Sequence, residues 1–494
     1  MSVAVKPLLL ELPPAIPPDA VSQSSTSSTD LSDYRILTQC DKDALLSLAK
    51  SKKEIVVVMK RQGAFFGFLF DLAESRPNDK ALVAFVPKRF RQNVSPQSEG
   101  CFDWIIYYDD SFDNSGNPHD LDDIHLTSFH TFGRELVEIV PRKMINLVHT
   151  EEISMSEVCR MREEHGLKGA YLADVEHLRR KELLYQTAEQ ANIPHAKTLF
   201  IDFAVESNKK RLITHVMDKI GDFPMFVKPA LSCGTFGCSK ISSMDDLNQW
   251  ITQEMADSNP KKYVIQEYLD GREVSISIVL LQNGTFKPLV VKHMGSSYNY
   301  ICMATGEPVI SIVEHFERAG KRFPGIYEFA KKVVDTFKPM PPQMFTVQGF
   351  QIMDGNTPKY YFNEVAYRPA GEVVTGTMYS ACGIDQYASL MLASLDPNYE
   401  PHPNAQWTPK LQTSFSFTLR KGTLASHNDL PKSPMVKGTV VQSKWYVSPG
   451  QKMQMATYVD DYMLSFVLES ANEAERDTDV KWIRENWRPD VAEE

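Results

Sequence analysis

The chain has 494 residues, a length that predicts three or four compact units. Hydrophobic residues make up 43% of the sequence, which supports sizeable cores and excludes global disorder. The formal net charge is −10, whereas a protein that binds duplexes needs a basic surface to neutralise phosphates, so nucleic acid is excluded as a partner class.

The cysteine, histidine and hydropathy patterns bear on the cellular compartment, on zinc binding and on membrane association. Seven cysteines, an odd number without a CxxC pair, indicate free thiols in a reducing compartment, and the cytoplasm is the expected location. The twelve histidines form no compact ligand motif, so no structural zinc is predicted. Because no segment approaches the roughly 20 apolar residues that cross a bilayer, no membrane association is expected.

In chain order, a tail comes first and a strand–helix alternation follows. Residues 1–33 are rich in Pro and Ser and are predicted to be disordered. The alternation predicts a parallel sheet with helices on both faces, a Rossmann-like domain whose first turn lacks GxGxxG and therefore has no dinucleotide assigned to it. The predicted elements are strands at Ile55–Val58, Ala81–Val86, Trp104–Tyr108 and Ile145–Val148, a helix-like stretch from Gly63 to Leu72, and a helix from Ser154 to His165 that Gly166 ends.

The second half of the chain has a different pattern. A helix is predicted over 174–192, and the strands after it are antiparallel candidates because only short connections separate them. Residues from about 400 to 494 have the pattern of short strands followed by an acidic helix. The predicted strands lie near 224–229, 263–267, 273–280 and 288–292, and at Phe345–Met353 and Tyr360–Val365 on either side of the turn Asp354-Gly355-Asn356.

A loop of small residues follows the strand that ends near Lys228. Gly234 and Gly237 in this loop permit close backbone approach, and successive N–H groups can face phosphate oxygens. The same pattern also suits a simple hairpin.

The next strand ends in a short hinge, Glu267-Tyr268-Leu269-Asp270-Gly271, and an alternating strand then begins near Glu273. Backbone groups of such a hinge can pair with the edge of an adenine ring, and a carboxylate at Glu273 can accept hydrogen bonds from ribose hydroxyls. A plain hairpin with a surface glutamate is the competing interpretation.

Two later strands each carry an oxygen-bearing side chain, Gln348 on one and Glu364 on the other. Mg²⁺ prefers hard oxygen ligands together with substrate phosphates. Arg368 follows closely and offers a guanidinium fork for a carboxylate or an acyl phosphate. These residues predict a magnesium site beside an anion-binding arginine.

In this order, the three elements resemble the ATP-grasp superfamily, particularly its carboxylate–amine (amino-acid) ligases. A further match lies upstream, where Lys181 stands thirteen residues before Pro194 in Asn192-Ile193-Pro194, as a lysine of the family stands before its "aGIP" turn. The resemblance is distinctive over about 174–380. It implies ATP and Mg²⁺ as cofactors, with Mn²⁺ as a substitute metal.

The resemblance implies roles for particular residues. Lys181 and Lys228 would contact phosphates, the hinge would bind adenine, and Glu273 would hold the ribose. His293 is an alternative to Lys292 at the γ-phosphate. The implied catalytic residues are Arg368 and Lys228, the metal ligands Gln348 and Glu364, and the ATP-binding residues Lys181, Lys228, Gly234, Gly237, Glu267, Tyr268, Leu269, Glu273 and Lys292.

Two positions depart from the family pattern. Gln348 stands where an acidic metal ligand is usual, with Gln351 as an alternative, and Ala366 replaces the asparagine of Glu-x-Asn-x-Arg. An amide oxygen still ligates Mg²⁺ but carries less charge, which weakens binding of a second metal. These departures motivate a competing function, a non-catalytic regulator that binds ATP. A third candidate function is thioester formation or carboxylation. Enzymes with that chemistry usually carry a phosphohistidine segment or a biotin-carrier domain, and the sequence shows neither.

The implied fold is an α/β and α+β multidomain one: a Rossmann-like N-terminal domain, a two-subdomain ATP-grasp fold and a small strand-rich C-terminal domain. The implied reaction activates a small carboxylate, an amino acid or similar, as an acyl phosphate and condenses it with an amine, releasing ADP and phosphate. Homodimers are common in the family. The expected boundaries are 1–33 for the tail, 34–172 for the Rossmann-like domain, 173–262 for the lid subdomain, 263–395 for the large subdomain with the metal site and 396–494 for the C-terminal domain.

Overall fold

A computed structural model of the chain describes residues 34–69, 72–114, 124–206, 208–232, 234–405 and 407–492. The predicted tail of residues 1–33 lies outside these ranges. None of the helices within them is both long enough and apolar enough to cross a membrane.

A four-stranded parallel sheet forms the N-terminal part of the structure. Its strands run in the order β3-β2-β1-β4, and every neighbouring pair is parallel, which confirms the predicted Rossmann-like sheet. The fifth helix ends as predicted, because Gly166 takes a left-handed conformation with φ 63°. The elements are α1 (Gln39–Ser51), β1 (Glu54–Met59), α2 (Leu72–Ser75), β2 (Lys80–Pro87), α3 (Pro96–Cys101), β3 (Trp104–Tyr108), α4 (Thr127–Ile139), β4 (Ile145–His149) and α5 (Glu152–His165).

The predicted helix-like stretch after Gly63 is wrong, since residues 64–69 have no helical backbone and α2 begins only at Leu72. The amides of Phe68 and Leu69 donate to the Asp385 carboxylate, at 2.5 and 2.9 Å, instead of to carbonyls one turn earlier. A distant acid therefore satisfies the donors that a helix would have used.

The predicted helix over 174–192 is two helices, α6 (Leu172–Arg179) and α7 (Lys181–Gln190). Arg180 between them has an extended backbone, with ψ 110°. Lys181 therefore occupies the first position of a helix, close to the loop after β6.

A small antiparallel sheet with two helices follows. Its strand order is β5-β8-β6-β7, and the Lys228 strand lies inside the sheet, between β8 and β7. The elements are β5 (Thr198–Asp202), α8 (Lys209–Lys219), β6 (Met225–Pro229), β7 (Ser239–Ile241), α9 (Met244–Ala256) and β8 (Lys262–Glu267).

The largest element is an eight-stranded antiparallel sheet in the order β13-β12-β9-β10-β11-β14-β18-β16. Its strands and the helices between them are β9 (Arg272–Leu280), β10 (Phe286–Met294), α10 (Asn299–Thr305), β11 (Val309–His315), α11 (Phe316–Arg322), α12 (Ile326–Phe337), β12 (Gln343–Asp354), β13 (Thr357–Ala366), α13 (Glu372–Cys382), α14 (Gln386–Leu395), β14 (Leu411–Thr418), β16 (Thr439–Trp445) and β18 (Tyr462–Ser470), with α15 (Glu473–Asn486) after them. A separate three-stranded antiparallel sheet contains β15 (Gly422–Ser426), β17 (Lys452–Met453) and β19 (Asp490–Ala492), in the order β17-β15-β19.

Two features of the eight-stranded sheet position the site. Strand β14 pairs with β11, so strands from the last hundred residues extend the same sheet that carries Gln348 and Glu364. Helix α14 is buried along its whole length and packs between β1 of the parallel sheet and β12 of the large sheet. The boundaries given above for the domains stay predictions.

Candidate active site

One cavity of about 370 Å³ lies where the small sheet, the large sheet and the 458–460 segment meet. Eleven of the twelve residues assigned from the sequence line it, and Gly237 does not. Residues more than 180 positions apart in the chain therefore share one wall. The eleven are Lys181, Lys228, Gly234, Glu267, Tyr268, Leu269, Glu273, Lys292, Gln348, Glu364 and Arg368.

Lys228 is buried at the end of β6 and donates to the Tyr185 hydroxyl at 2.8 Å and to Oδ1 of Asn363 at 3.0 Å. The Tyr185 hydroxyl in turn donates to the backbone carbonyl of Asn363 at 2.7 Å. Burial by itself lowers the pKa of Lys228, but Tyr185 and the Glu364 carboxylate outweigh it, and the pKa is raised. The ammonium therefore stays charged and is held in a fixed position.

Lys181 supplies a second buried cation from the start of α7. Its ammonium donates to the carbonyl oxygen of Ser232 at 2.6 Å, at the beginning of the glycine loop. The break at Arg180 makes this contact possible, because α7 begins after it and the first residue of α7, Lys181, faces the loop. Two lysines thus approach the loop that the sequence associates with phosphate.

Tyr458 of the C-terminal segment covers the glycine loop. A Cβ atom added at Gly234, where φ is +62°, would lie 1.8 Å from Cε2 of Tyr458, so only glycine fits there. The amide of Val459 also donates to the carbonyl oxygen of Gly234 at 3.1 Å. The loop and this segment together close one end of the cavity.

The hinge after β8 is fixed by a tyrosine from the segment before α10. The Tyr298 hydroxyl accepts from the amide of Gly271 at 2.9 Å and lies 3.0 Å from the carbonyl oxygen of Leu269. The amide of Tyr268 donates to the carbonyl oxygen of Pro224 at 3.2 Å, which anchors the hinge to the strand that leads to Lys228. The backbone edge of the hinge is therefore rigid before any ligand arrives.

The acidic end of the cavity contains the predicted metal ligands. Gln348 and Glu364 are directly paired across the antiparallel strands β12 and β13, beside a register shift. Burial raises the pKa of Glu273, Lys292 lowers it in part, and the charge of Glu364 raises it again. The carboxylates of Glu273 and Glu364 thus repel each other across the cavity wall, and a cation would relieve that repulsion.

The residues that the sequence left as alternatives differ in whether they line the cavity. Lys292 lines the cavity, whereas His293 lies on the other face of the sheet, 3.9 Å from Glu314, because successive residues of a strand face opposite sides. Gln351 also lies outside the cavity and donates to the Tyr360 hydroxyl at 3.4 Å.

Arg368 lies at the end of the cavity that borders the parallel sheet. Its Nε donates to the Glu152 carboxylate at 3.0 Å, and Glu152 is the first residue of α5. Both side chains are partly exposed and both line the cavity. Its Nη1 also donates to the carbonyl oxygen of Pro369 at 2.9 Å, so the guanidinium is held in a fixed orientation at the cavity wall.

The sequence did not indicate three residues that line the cavity, Glu152, Asn363 and Tyr458, or Tyr185, which contacts Lys228 without lining the cavity. Tyr185 follows Lys181 by one helical turn on α7, a spacing that could have revealed it. Asn363 directly precedes Glu364 and could have been noted with it. Glu152 and Tyr458 have no comparable signal, since each meets its partner from more than 200 residues away.

Comparisons with known proteins match this picture. The family model for the D-Ala–D-Ala ligase C-terminus matches residues 187–334. A D-alanine–D-alanine ligase from Flavobacterium psychrophilum is 30% identical over 90 residues, which are 18% of this chain and 25% of that ligase. The chain thus matches only a quarter of the length of this curated relative.

Two solved structures share the fold over most of both chains. The L-amino acid ligase from Bacillus licheniformis has a TM-score of 0.59 at 14% identity and covers 90% of this chain and 99% of its own. An N5-carboxyaminoimidazole synthetase from Staphylococcus aureus, complexed with ADP, has a TM-score of 0.56 at 15% identity and covers 87% and 97%. Over residues 187–334 the chain is thus similar to the D-Ala–D-Ala ligase family, and over most of its length it shares the fold of these two solved structures.

Proposed function

We propose that this protein is an ATP-dependent ligase that activates a small carboxylate as an acyl phosphate and condenses it with an amine, releasing ADP and phosphate. The observation that carries the proposal is the single cavity in which two buried lysines, a rigid hinge, an oxygen-rich pair and a pre-oriented arginine meet. A binding module that only held a nucleotide would have no need of Arg368 at the far end.

The nucleotide would lie between the hinge and the lysines. Backbone groups of Glu267 to Leu269 suit an adenine edge because Tyr298 and Pro224 already fix their positions. Lys181 and Lys228 bracket the glycine loop and would neutralise phosphate charge. Lys292 lies beside the acids and is available for the terminal phosphate.

Mg²⁺ fits the donor set at the acidic end, since Gln348 and Glu364 both offer hard oxygen atoms. When bound, the ion would neutralise charge on the phosphates during transfer. The amide at Gln348 gives this set one negative charge fewer than a pair of carboxylates, so we expect weaker metal binding than in a fully acidic site.

The chemical steps follow from the positions of the groups. A carboxylate oxygen of the substrate, held by Arg368, attacks the γ-phosphorus, and the bond to the departing ADP oxygen breaks. The amine nitrogen then attacks the acyl carbon, phosphate leaves, and the amine loses a proton. Arg368 would stabilise the oxyanion of the tetrahedral species through the positive charge of its guanidinium, which Glu152 and Pro369 hold in place. No covalent intermediate on the protein is required.

The test is a screen of amino acids and small carboxylates in pairs, with ADP release and condensed products measured by mass spectrometry. We expect ADP formation that depends on a particular carboxylate together with an amine. ATP binding without turnover on any pair would instead favour a non-catalytic regulator, the function that the Gln348–Glu364 pair motivates through its reduced charge.

Assembly and location stay predictions. A homodimer is proposed from the ligase-type resemblance, and light scattering on the purified chain would measure its mass. A cytoplasmic location is proposed from the cysteine pattern, and fractionation would test it.

A further inference from the structure

A cluster of potential metal ligands lies in the parallel-sheet domain, and none of its members lines the cavity. Among the described residues, the ligand atoms of His125, His130 and Glu157 lie within 4.8 Å of one another. His125 stands just before α4, His130 lies in the first turns of α4, and Glu157 lies on α5. Glu157 is buried, whereas His125 is exposed to solvent.

The distances suit a tetrahedral ion. Nε2 of His130 lies 3.1 Å from Oε2 of Glu157, and Nδ1 of His125 lies 3.6 Å from the same oxygen. Zinc bonds of about 2.0–2.1 Å place neighbouring tetrahedral ligands roughly 3.3 Å apart. The two nitrogen–oxygen distances lie within a few tenths of an ångström of that value, and all three ligand atoms lie within 4.8 Å of one another.

The surrounding hydrogen bonds already hold the ligands in the required orientation. Nδ1 of His130 lies 3.0 Å from the Glu164 carboxylate, so its proton can be donated there while Nε2 faces Glu157. A carboxylate behind a histidine is the usual outer partner of a zinc ligand, since it fixes the tautomer and raises the basicity of the ring. Oε2 of Glu157 also accepts from the amide of Leu126 at 3.0 Å, and Arg160 holds its other oxygen.

We propose that His125, His130 and Glu157 bind a divalent transition-metal ion, with zinc as the favoured one and Glu164 as the positioning residue behind His130. Two imidazoles and one carboxylate are a ligand set that zinc accepts, with water in the fourth position on the exposed side of His125. The ligands span 33 positions of the chain, so their spacing does not form a compact histidine motif in the sequence. The ion would tie the segment before α4 to α5.

The experiment uses the full-length chain, stripped of metal with a chelator and titrated with Zn²⁺ in a calorimeter. Co²⁺ then serves as a spectroscopic probe, because tetrahedral nitrogen–oxygen sites have visible absorption distinct from that of thiolate sites. We expect about one Zn²⁺ per chain and a rise in the thermal midpoint on binding. Glu164→Gln should weaken binding about 10- to 100-fold.

Two variants decide the assignment. His125→Ala changes an exposed side chain and should leave folding intact while removing most of the affinity and the tetrahedral Co²⁺ spectrum. His215→Ala, at an exposed histidine on α8, is the matched control and should bind as the wild type does. No Zn²⁺ binding to the wild type, or equal binding by His125→Ala and His215→Ala, would overturn the proposal and leave the cluster as an ion-pair network.

Discussion

The ammonium nitrogen of Lys228 lies 2.8 Å from the Tyr185 hydroxyl oxygen and 5.2 Å from the centroid of the same ring. The hydroxyl of this tyrosine therefore helps to hold a buried cation at the wall of the cavity. The tyrosine comes from α7, the helix that Lys181 begins, so the two lysines are positioned by one structural element.

Lys228→Ala should reduce ADP formation by about 10²–10³-fold, because it removes a preorganised positive charge from the phosphate end. Lys219→Ala, at an exposed lysine that ends α8, is the matched control and should keep full activity. Circular dichroism would check that both variants fold. Wild-type turnover in Lys228→Ala would contradict the assignment.

Removing or adding a negative charge at Gln348 and Glu364 should raise or lower the Mg²⁺ concentration that activity requires. Glu364→Gln should raise the Mg²⁺ concentration for half-maximal ADP formation at least about tenfold, and Gln348→Glu should lower it. Gln351→Glu lies on the same strand outside the cavity and should change nothing. A titration in which all three variants match the wild type would mean that the pair does not hold the metal.

Tyr298→Phe should weaken ATP binding by about 2- to 13-fold, the size of one lost hydrogen bond of ~0.5–1.5 kcal/mol. The hydroxyl that fixes Leu269 and Gly271 is removed while the ring remains. Calorimetry with ATP measures the effect, and Tyr327→Phe on an exposed tyrosine is the control. Equal dissociation constants for the two variants would show that the hinge needs no support from Tyr298.

Gly234→Ala should impair ATP binding through a collision with Tyr458, in addition to about 1 kcal/mol of backbone strain at positive φ. Gly63→Ala has similar strain, φ +81°, but no neighbouring atom within 4 Å of the new Cβ, so it isolates the backbone effect. The double variant Gly234→Ala/Tyr458→Ala would restore the space. If the single and double variants bind ATP equally, the collision has no role.

Glu314 should make the free energy of unfolding depend on pH under acidic conditions. Burial raises the pKa of Glu314, but His293, Arg322 and Arg476 outweigh it and lower the pKa to about 2. A carboxyl whose pKa is lower in the folded state stabilises the fold above the ordinary value of 4.5, and this contribution is lost as the pH falls toward 2.

Glu314→Gln should therefore lower the free energy of unfolding by at most about 3–5 kcal/mol at pH 7, because Arg476 loses its buried anion and keeps only the exposed carboxylate of Asp477. The difference from the wild type should shrink as the pH is lowered to 3. Denaturant titrations measure it, with Glu328→Gln at an exposed position as the control. A difference that stays constant from pH 7 to pH 3 would contradict the pKa assignment.

Local patterns predicted much of this molecule. Runs of apolar residues bounded by turn residues located the strands that carry Lys228, Gln348 and Glu364, because strand and turn preferences act over a few neighbouring residues. The glycine loop and the hinge could also be predicted, because each is formed by adjacent residues of the chain. Gly237 shows the limit of such reasoning, since it shares the glycine chemistry of Gly234 but lies outside the cavity wall.

Long-range contacts supplied the rest. The 64–69 stretch has a helix-like apolar pattern, yet Asp385 takes its backbone donors from more than 300 positions away. The contact between Arg368 and Glu152 and that between Gly234 and Tyr458 likewise depend on how separate elements pack. No spacing in a single sequence records such contacts.

The pairing of β11 with β14 limits how this protein can be shortened. A chain cut after residue 395 would keep every ATP-binding residue assigned above but would leave β11 as a bare edge, with Ile310 and Ile312 deprived of their partners Phe415 and Thr413. Exposed apolar edge strands recruit other chains and aggregate. An isolated nucleotide-binding fragment should therefore be insoluble, although its lysines, hinge and predicted metal ligands are all present.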